Sequence, residues 1–355
     1  MPGLNLVLNA MIASVLFSIP LPSLTASLDK WPPEQARKIA ALVKENAHKG
    51  EYAVFDMDNT TYKNDLEEAL IPFMENAGLL KRERLPDTLK LIPFIDNLGE
   101  KESLYSYYHR LCEIDDLICY PWAAQVFAGF TIAELTQQID NMMQQGNVKI
   151  SANYIENGSI KKKFIAPPRL MRGMQELFSY LRDNGIEVYI MSAAHEELVR
   201  IIASNEKYGY QVKPENVFGV NTLLTDPRGG KITTARIQIK EGYYQPEKNQ
   251  HLKLTSFLVN PMTWYEGKYA TMVGYISQWK KPILAGGDTI YSDTYMLLNG
   301  VDPKKGGLRL WVNRNPQTLR RLEKLQAEAV EQQKSMGKGP TANKNWVIVT
   351  QDEMM

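Results

Sequence analysis

Three short stretches of the chain are apolar at every position, and a cluster of small and polar residues follows each of them. The stretches are 52–55, 188–191 and 283–285, and the clusters begin at Asp56, Ser192 and Gly286-Gly287-Asp288. Uninterrupted apolar runs of this length are typical of strands buried on both faces, as in a parallel sheet that helices cover. The pattern therefore predicts three central strands, each with polar residues at its carboxyl end.

Helical patterns precede these strands. Apolar residues recur every three or four positions over 33–49, 170–184 and 269–279. Strands that alternate with helices predict an open α/β sheet. In such sheets ligands bind beyond the carboxyl ends of the strands, which is where all three polar clusters lie.

The chain between the first two polar clusters is far longer than one crossover connection needs. Most of it has a helical pattern, over 66–80, 103–122 and 132–145. We therefore predict a helical cap inserted after the first strand. A second insertion, 216–241, places Ile232, Ile237 and Ile239 in alternation near a Pro-Gly turn, which predicts a small hairpin region.

The predicted fold class is α/β, a Rossmann-like open parallel sheet core with an inserted helical cap domain. The boundaries are 1–26 for a signal peptide, 31–63 and 167–315 for the core, 64–165 for the cap, and 316–355 for a C-terminal helix and tail. The tail has a helical pattern over 316–335 and a strand-like pattern over 346–349.

The first residues differ from the rest of the chain. Residues 4–26 carry no charge and contain an apolar run over 10–17, followed by Pro20, Pro22 and small residues. This pattern predicts a signal peptide, and hence a secreted or periplasmic protein. Its n-region has no Lys or Arg, so a buried or anchoring N-terminal segment is the alternative. The run is too short and too interrupted by proline for a stable membrane span.

Composition narrows the range of partners. Charged residues make up 23% of the chain and the net charge is +1, so no long-range field favours a nucleic acid or an anionic membrane as the partner. The four histidines show no metal-ligand spacing, which argues against zinc.

Cys112 and Cys119 are the two cysteines of the chain. In a continuous helix over 103–122 they would lie two turns and about 10 Å apart, too far for a disulfide bond. We therefore expect free, buried thiols.

The first polar cluster, Asp56-Met57-Asp58-Asn59-Thr60, carries the strongest chemical signal. Two carboxylates in alternate positions after a buried strand can both face one crevice. Asp56 can attack phosphorus as a nucleophile, and Asp58 can protonate the leaving alcohol and then deprotonate water. The alternative is an Asx-turn that merely ends the strand.

The other two clusters add compatible groups. Ser192 offers a hydroxyl to a phosphate, although a helix N-cap is the more common role for such a residue. Asp288 supplies a carboxylate for a metal ion, and Asp293 a second one that orients a neighbour or ligand. A strand-to-helix turn is the structural alternative for this segment.

In order and spacing these motifs resemble the haloacid dehalogenase superfamily, whose phosphatases combine Asp-x-Asp-x-Thr, a Ser or Thr, a Lys and Gly-Asp-x(3-4)-Asp. The resemblance implies Mg²⁺ held near Asp56, the Asp58 carbonyl, Asp288 and Asp293. It also implies a phosphate bound by Ser192, Lys268 and Thr60. Lys268 opens a predicted helix at the expected place, whereas Lys280 and Lys281 lie too close to the third strand.

A closer resemblance extends over both predicted domains, from about Trp31 to Asn315. The segments that carry it are 59–62, 65–68, 111–116, 119–122 and 214–220, which look like those of the phosphorylcholine phosphatases. The resemblance implies an exported enzyme with a helical cap. Its substrate would be a small phosphate ester of choline or a related amino alcohol.

A quaternary ammonium donates no N–H hydrogen bond, so its site needs aromatic faces and carboxylates. The predicted substrate-binding residues of the cap are Glu67, Glu68, Tyr107 and Tyr108, with Tyr105 and Trp122 nearby in the sequence. The alternative is that the glutamates are solvated and that the tyrosines form cap core. An aromatic at position 109 would extend the tyrosine run; His109 stands there and would weaken a cage or make it pH-sensitive.

Two other functions remain compatible with these residues. One is a phosphatase for phosphoserine or phosphoethanolamine. The other is a non-catalytic choline-binding protein, against which the retention of Asp56, Asp58, Lys268 and Asp288 argues.

Overall fold

The computed structural model describes residues 27–96, 99–259 and 262–355. The predicted signal peptide, 1–26, lies outside the described residues. Within those three ranges, no helix has both the length and the apolar character needed to cross a membrane.

Twelve strands are assigned in the described ranges: β1 (Tyr52–Phe55), β2 (Tyr62–Lys63), β3 (Ile150–Glu156), β4 (Ser159–Ile165), β5 (Arg169–Leu170), β6 (Glu187–His195), β7 (Val217–Thr225), β8 (Ile232–Thr233), β9 (Lys253–Val259), β10 (Leu284–Gly287), β11 (Leu308–Asn313) and β12 (Trp346–Thr350).

The α-helices of the same ranges are α1 (Pro33–Asn46), α2 (Leu66–Asn76), α3 (Leu104–Ile114), α4 (Asp116–Gln125), α5 (Ile132–Gln144), α6 (Arg172–Asp183), α7 (Glu196–Ser204), α8 (Ala235–Lys240), α9 (Pro246–Asn249), α10 (Glu266–Thr271) and α11 (Pro316–Ser335).

The main sheet has the order β12-β11-β10-β1-β6-β7-β8, with β9 also paired to β7. The strands from β12 to β7 are parallel, whereas β8 and β9 are antiparallel to β7. All residues of the central strand β1 are buried, as its uninterrupted apolar sequence predicts. The predicted α/β class and its three central strands are confirmed, and the carboxyl ends of β1, β6 and β10 meet at one edge.

Helices α2 to α5 occupy the segment predicted as a cap, but this segment also contains an antiparallel hairpin of β3 and β4. Its turn is Asn157-Gly158, with φ of 52° and 75°. Asn-Gly is the favoured pair for such a turn because both residues tolerate positive φ. The sequence therefore held a hairpin signal that the prediction of a helical cap missed.

The expectation of free thiols is wrong. The predicted helix over 103–122 breaks at Asp115, whose backbone is extended and whose side chain accepts the Leu117 N–H at the start of α4. The chain turns there and brings the Cα atoms of Cys112 and Cys119 to 4.9 Å, and the two residues form a disulfide bond. The distance estimate failed because it assumed one unbroken helix.

The second insertion contains the predicted hairpin, since β7 and β8 pair antiparallel across the predicted turn, but it is shorter than the isoleucine pattern suggests. Strand β8 contains only Ile232 and Thr233, and Ile237 and Ile239 lie on the short helix α8. Thr234 caps that helix by accepting the Ile237 N–H, so Ile237 and Ile239 do not extend the second hairpin strand.

The C-terminal segment extends the core sheet. Strand β12 pairs in parallel with β11 and forms the edge of the sheet, although the sequence analysis placed it outside the core. Beyond it, the buried Gln351 donates from Nε2 to the backbone oxygen of Asn59 at 2.9 Å. The end of the chain therefore braces the loop that follows β1.

Candidate active site

The loop after β1 turns back on itself directly behind Asp56. The Asp56 N–H donates to Gly286 O of the neighbouring strand at 3.0 Å, and its carbonyl accepts the Thr61 hydroxyl at 2.7 Å. Asn59 takes the turn at a φ of 60°, a conformation that asparagine tolerates better than most residues. These contacts fix the Asp56 carboxylate at the sheet edge.

Lys268, near the start of α10, contacts the Asp56 carboxylate. Its Nζ donates to Asp56 Oδ1 at 2.6 Å and to Asp293 Oδ1 at 2.7 Å, and its side chain is fully buried. The preceding Gly267 is required because a Cβ there would lie 1.9 Å from Met262 O. This close approach sets the start of α10 and the direction of Lys268.

Burial and charge act in opposite directions on this pair. Burial by itself lowers the pKa of Lys268, but the charges of Asp293 and Asp56 reverse that effect and raise it above its ordinary value. Burial raises the pKa of Asp56, which the Lys268 charge opposes. Lys268 is therefore an ammonium, and its charge offsets only part of the effect of burial, since the pKa of Asp56 stays well above its ordinary value.

The loop after β10 is organised by Asp293. Its Oδ2 accepts the backbone N–H groups of Asp288 and Thr289, both at 3.0 Å. Gly287 leaves room for this side chain, since a Cβ would lie 2.6 Å from Asp293 Cγ. The Asp288 carboxylate then reaches the site, where its Oδ1 accepts the Thr60 hydroxyl at 2.8 Å.

The arrangement fits a hard cation. One carboxylate oxygen from each of Asp56, Asp288 and Asp293 lies within 4.8 Å of the others, and all three residues are buried. Carboxylate oxygens are the ligands that Mg²⁺ prefers. All three carboxylates also accept hydrogen bonds from the protein at both of their oxygens.

Arg314 is a site residue that the sequence analysis missed. It follows the last residue of β11, and its Nε donates to Asp288 Oδ2. Its charge also acts on Asp56 and Asp65. In the sequence, Arg314 is an arginine just beyond β11, a strand that was not predicted. Its position in the sheet, and not a sequence motif, identifies Arg314 as a site residue.

Asp58 faces a different environment from Asp56. Its Oδ1 accepts the Tyr62 hydroxyl at 2.7 Å and the Leu66 N–H at 2.8 Å, at the start of α2. Burial raises its pKa well above the ordinary value, and the charge of Asp65 adds to this. A carboxyl group with a raised pKa is suited to donate a proton as a general acid.

Ser192 lies within β6, two residues past the last pairing of that strand with β1. Its Oγ accepts the Ala194 N–H at 3.1 Å, and its carbonyl accepts the Thr263 hydroxyl at 2.5 Å. The N-cap role that was the alternative for Ser192 belongs to His195, whose Nδ1 accepts the Glu197 N–H. Ser192 is thus held at the sheet edge without capping α7.

The two cap glutamates have different surroundings. Glu67 is buried, and its Oε1 accepts the His195 N–H at 2.9 Å, so it joins the cap to the end of β6. Burial raises the pKa of Glu67 to about 8. Glu68 is half-buried; burial and then Asp65 raise its pKa to about 7, against the charges of Lys163 and Arg314.

The structure separates the two predicted tyrosines. The Tyr107 hydroxyl donates to Ile92 O at 3.0 Å and accepts the Ile92 N–H at 2.9 Å, while its ring stacks on Phe94. Tyr107 is therefore packed in the core of the cap, with its hydroxyl hydrogen-bonded to the Ile92 backbone. Tyr108 stacks on Trp122, and its hydroxyl is subject to the charge of Glu68.

A mostly parallel sheet with Asp56 beyond its central strand, a buried lysine on that carboxylate and an acidic loop beyond the next strand together define a phosphatase of the haloacid dehalogenase superfamily. In sequence, the chain is 50% identical over 327 residues to the phosphorylcholine phosphatase of Pseudomonas aeruginosa PAO1, a match that covers 92% of this chain and 93% of that protein. The chain therefore belongs to the phosphorylcholine phosphatase family and is a phosphoric monoester hydrolase.

The chain was also compared with protein-family models and with solved structures. No protein-family model matches the sequence. A solved structure of a conserved protein of unknown function from Anaerococcus prevotii has a TM-score of 0.57 and 19% identity, covering 84% of this chain and 90% of its own. That likeness shows the fold alone.

Proposed function

We propose that the enzyme hydrolyses phosphorylcholine to choline and inorganic phosphate, with Mg²⁺ as its cofactor and a phosphorylated Asp56 as the intermediate. The observation that carries the proposal is the buried Asp56 carboxylate, held 2.6 Å from the Lys268 ammonium and grouped with Asp288 and Asp293. This is the constellation that a carboxylate nucleophile needs beside a phosphoryl group.

In the first step a carboxylate oxygen of Asp56 attacks phosphorus, and the bond from phosphorus to the alcohol oxygen breaks. Asp58 gives its proton to that oxygen, so choline leaves as the alcohol. Lys268 balances the negative charge that spreads over the phosphoryl oxygens in the transition state. Ser192 and Thr60, at the same edge of the sheet, are the proposed hydroxyl donors to those oxygens.

In the second step the Asp58 carboxylate takes a proton from water as the water oxygen attacks phosphorus. The bond from phosphorus to Asp56 breaks, inorganic phosphate is released, and both aspartates return to their starting states. Asp293 orients Lys268 and the loop of Asp288 throughout. Asp56, the Asp58 carbonyl and Asp288 would hold Mg²⁺, which when bound supplies positive charge to the phosphoryl oxygens.

Two observations support choline as the alcohol of the substrate. The chain belongs to the phosphorylcholine phosphatase family, and the cap contributes a carboxylate with aromatic rings near it. Glu68 is a half-buried carboxylate whose charge reaches the Tyr105 and Tyr108 hydroxyls. Aromatic faces beside a carboxylate suit an ammonium that can donate no hydrogen bond. Glu67, in contrast, supports the site by holding the backbone after Ser192.

Phosphate release from phosphorylcholine, phosphoethanolamine and phosphoserine tests the substrate assignment. We expect Mg²⁺-dependent release that EDTA abolishes, with phosphorylcholine the preferred ester. An Asp56→Asn variant should be inactive on all three. Equal turnover of the three esters would contradict the choline assignment, and undiminished activity in EDTA would contradict the metal requirement.

We also propose that the enzyme is exported. The Cys112–Cys119 bond supports this, since disulfides persist in oxidising compartments, and so does the apolar leader over 1–26. N-terminal sequencing of the enzyme from cell fractions tests the proposal. A mature chain in the periplasm or medium that lacks the leader is expected, and an intact leader on a cytosolic protein would contradict it.

A further inference from the structure

A lysine that no catalytic step uses lies on the cap hairpin and acts electrostatically on Glu68. Lys163 lies on β4 and pairs with Ala152 of β3. Successive side chains of a strand point to opposite faces, so Lys163 shares a face with Ala152 and Ile165, which are both buried. The register of the hairpin therefore places Lys163 on this face, where the residue as a whole is still exposed to water.

The Lys163 ammonium lies against two tyrosine rings. Its Nζ is 5.4 Å from the ring centroid of Tyr105 and 4.8 Å from that of Tyr154. The two centroids are 6.2 Å apart and the ring planes are inclined by 58°. Both nitrogen–ring distances are short enough for a cation to be attracted to the ring face. The two rings thus form an open cage that already holds a positive charge.

A carboxylate and an imidazole complete the surroundings of this charge. Lys163 acts electrostatically on Glu68, and Glu68 in turn acts on the Tyr105 hydroxyl. The His109 ring lies 4.4 Å from Tyr105 and 5.6 Å from Tyr154. Burial, with a smaller effect of Lys163, lowers the pKa of His109 to about 4, so the imidazole is neutral near pH 7.

We propose that Lys163 is a specificity-determining residue: its ammonium occupies the cage of Tyr105, Tyr154 and Glu68, and the cationic group of a substrate has to displace it. The inference rests on the proposed function, because only an ester with a cationic alcohol competes for this place. A lysine suits the role, since its long stem lets the displaced ammonium move into water. Lys163 therefore lowers the ratio of kcat/KM for cationic esters to kcat/KM for esters with an uncharged alcohol.

The test compares kcat/KM for phosphorylcholine, phosphoethanolamine and p-nitrophenyl phosphate, whose alcohol carries no cation. In Lys163→Met, which keeps the stem and removes the charge, we expect the ratio of each cationic ester to p-nitrophenyl phosphate to rise about three- to tenfold. The two cationic esters should gain by the same factor, since each displaces the same ammonium. The gain should appear in KM rather than in kcat.

Two variants serve as controls. Lys163→Arg retains a cation and should keep the wild-type ratios. Lys161→Met removes a charge on the same face of the same strand, where Lys161 pairs with Glu156 at 2.6 Å on the surface, and should also keep them. Wild-type ratios in Lys161→Met together with raised ratios in Lys163→Met would support a local effect of Lys163.

Distinct results overturn the inference and the function on which it rests. A wild-type enzyme that prefers phosphorylcholine, but whose Lys163→Met variant shows unchanged or lower ratios, would overturn the inference alone. A lower kcat/KM of Lys163→Met for all esters would also overturn it, since Lys163 would then serve the phosphate. A wild-type enzyme without preference for cationic esters would overturn both.

Discussion

Replacing Lys268 with methionine removes the only charge that contacts both Asp56 and Asp293 within the described residues. The ammonium lies 2.6 Å from one carboxylate and 2.7 Å from the other, and none of the three side chains is more than 8% exposed. Removing one partner of a buried ion pair leaves an uncompensated charge, at a cost of about 3–5 kcal/mol. We therefore expect Lys268→Met to lower the free energy of unfolding by that amount in EDTA.

The same substitution should reduce kcat by about a hundred- to a thousandfold, the typical loss when one preorganised transition-state donor is removed. The assays are urea unfolding in EDTA and steady-state phosphate release with Mg²⁺. Lys280→Met is the matched control, because Lys280 pairs with Glu51 at 3.0 Å with its own side chain 39% exposed, and a solvent-exposed ion pair contributes about 0–1 kcal/mol.

A double variant separates the charge effect from lost packing. Adding Asp293→Asn to Lys268→Met removes one of the two unpaired carboxylates, so it should recover part of the lost stability. Lys268→Met that is as stable as Lys280→Met and retains kcat within about tenfold would refute the reasoning. So would a double variant whose two stability losses simply add.

Three further predictions concern the cap. Glu68→Gln should lower kcat/KM for phosphorylcholine relative to p-nitrophenyl phosphate by roughly 30-fold. This factor corresponds to the loss of about 2 kcal/mol from a partly screened attraction between the Glu68 carboxylate and the substrate cation. An unchanged ratio would contradict the prediction. Because the folded pKa of His109 is depressed to about 4, the unfolded state binds more protons, and wild-type stability should fall as the pH drops from about 6.5 to 4. His109→Phe should weaken that dependence in urea unfolding, and an identical pH slope would argue against it. Cys112→Ser should cost about 2.5 kcal/mol by loop-closure entropy, and a smaller loss than about 1 kcal/mol would show that the bond is dispensable.

The sequence predicted the central part of the fold because strands buried on both faces have an unmistakable pattern. It also placed Asp56, Ser192 and Asp288 together, since carboxyl ends of adjacent parallel strands meet at one edge. Lys268 is identified because its distance in sequence from the acidic loop matches that of the lysine in the haloacid dehalogenase phosphatases. Each of these residues follows from local patterns or from motif order.

The other features depend on tertiary packing that no local pattern reports. Arg314 reaches the site because β11 lies beside β10, and β11 has no motif of its own. Tyr154 and Lys163 come from a hairpin whose Asn157-Gly158 turn was overlooked. The disulfide depends on one extended residue, Asp115, inside an otherwise helical stretch. Tyr107 was assigned to the substrate by its neighbours in sequence, whereas helix periodicity turns it toward Ile92 and Phe94.

Capture of the phosphorylated enzyme tests the central claim most directly. Asp58→Asn should accept a phosphoryl group from p-nitrophenyl phosphate, whose alcohol leaves without a proton, but should not hydrolyse the intermediate. Acid quenching followed by peptide mass spectrometry is then expected to find one phosphoryl group on Asp56 in Asp58→Asn and none in Asp56→Asn. A phosphoryl group on Ser192, or turnover that persists in Asp56→Asn, would contradict the account.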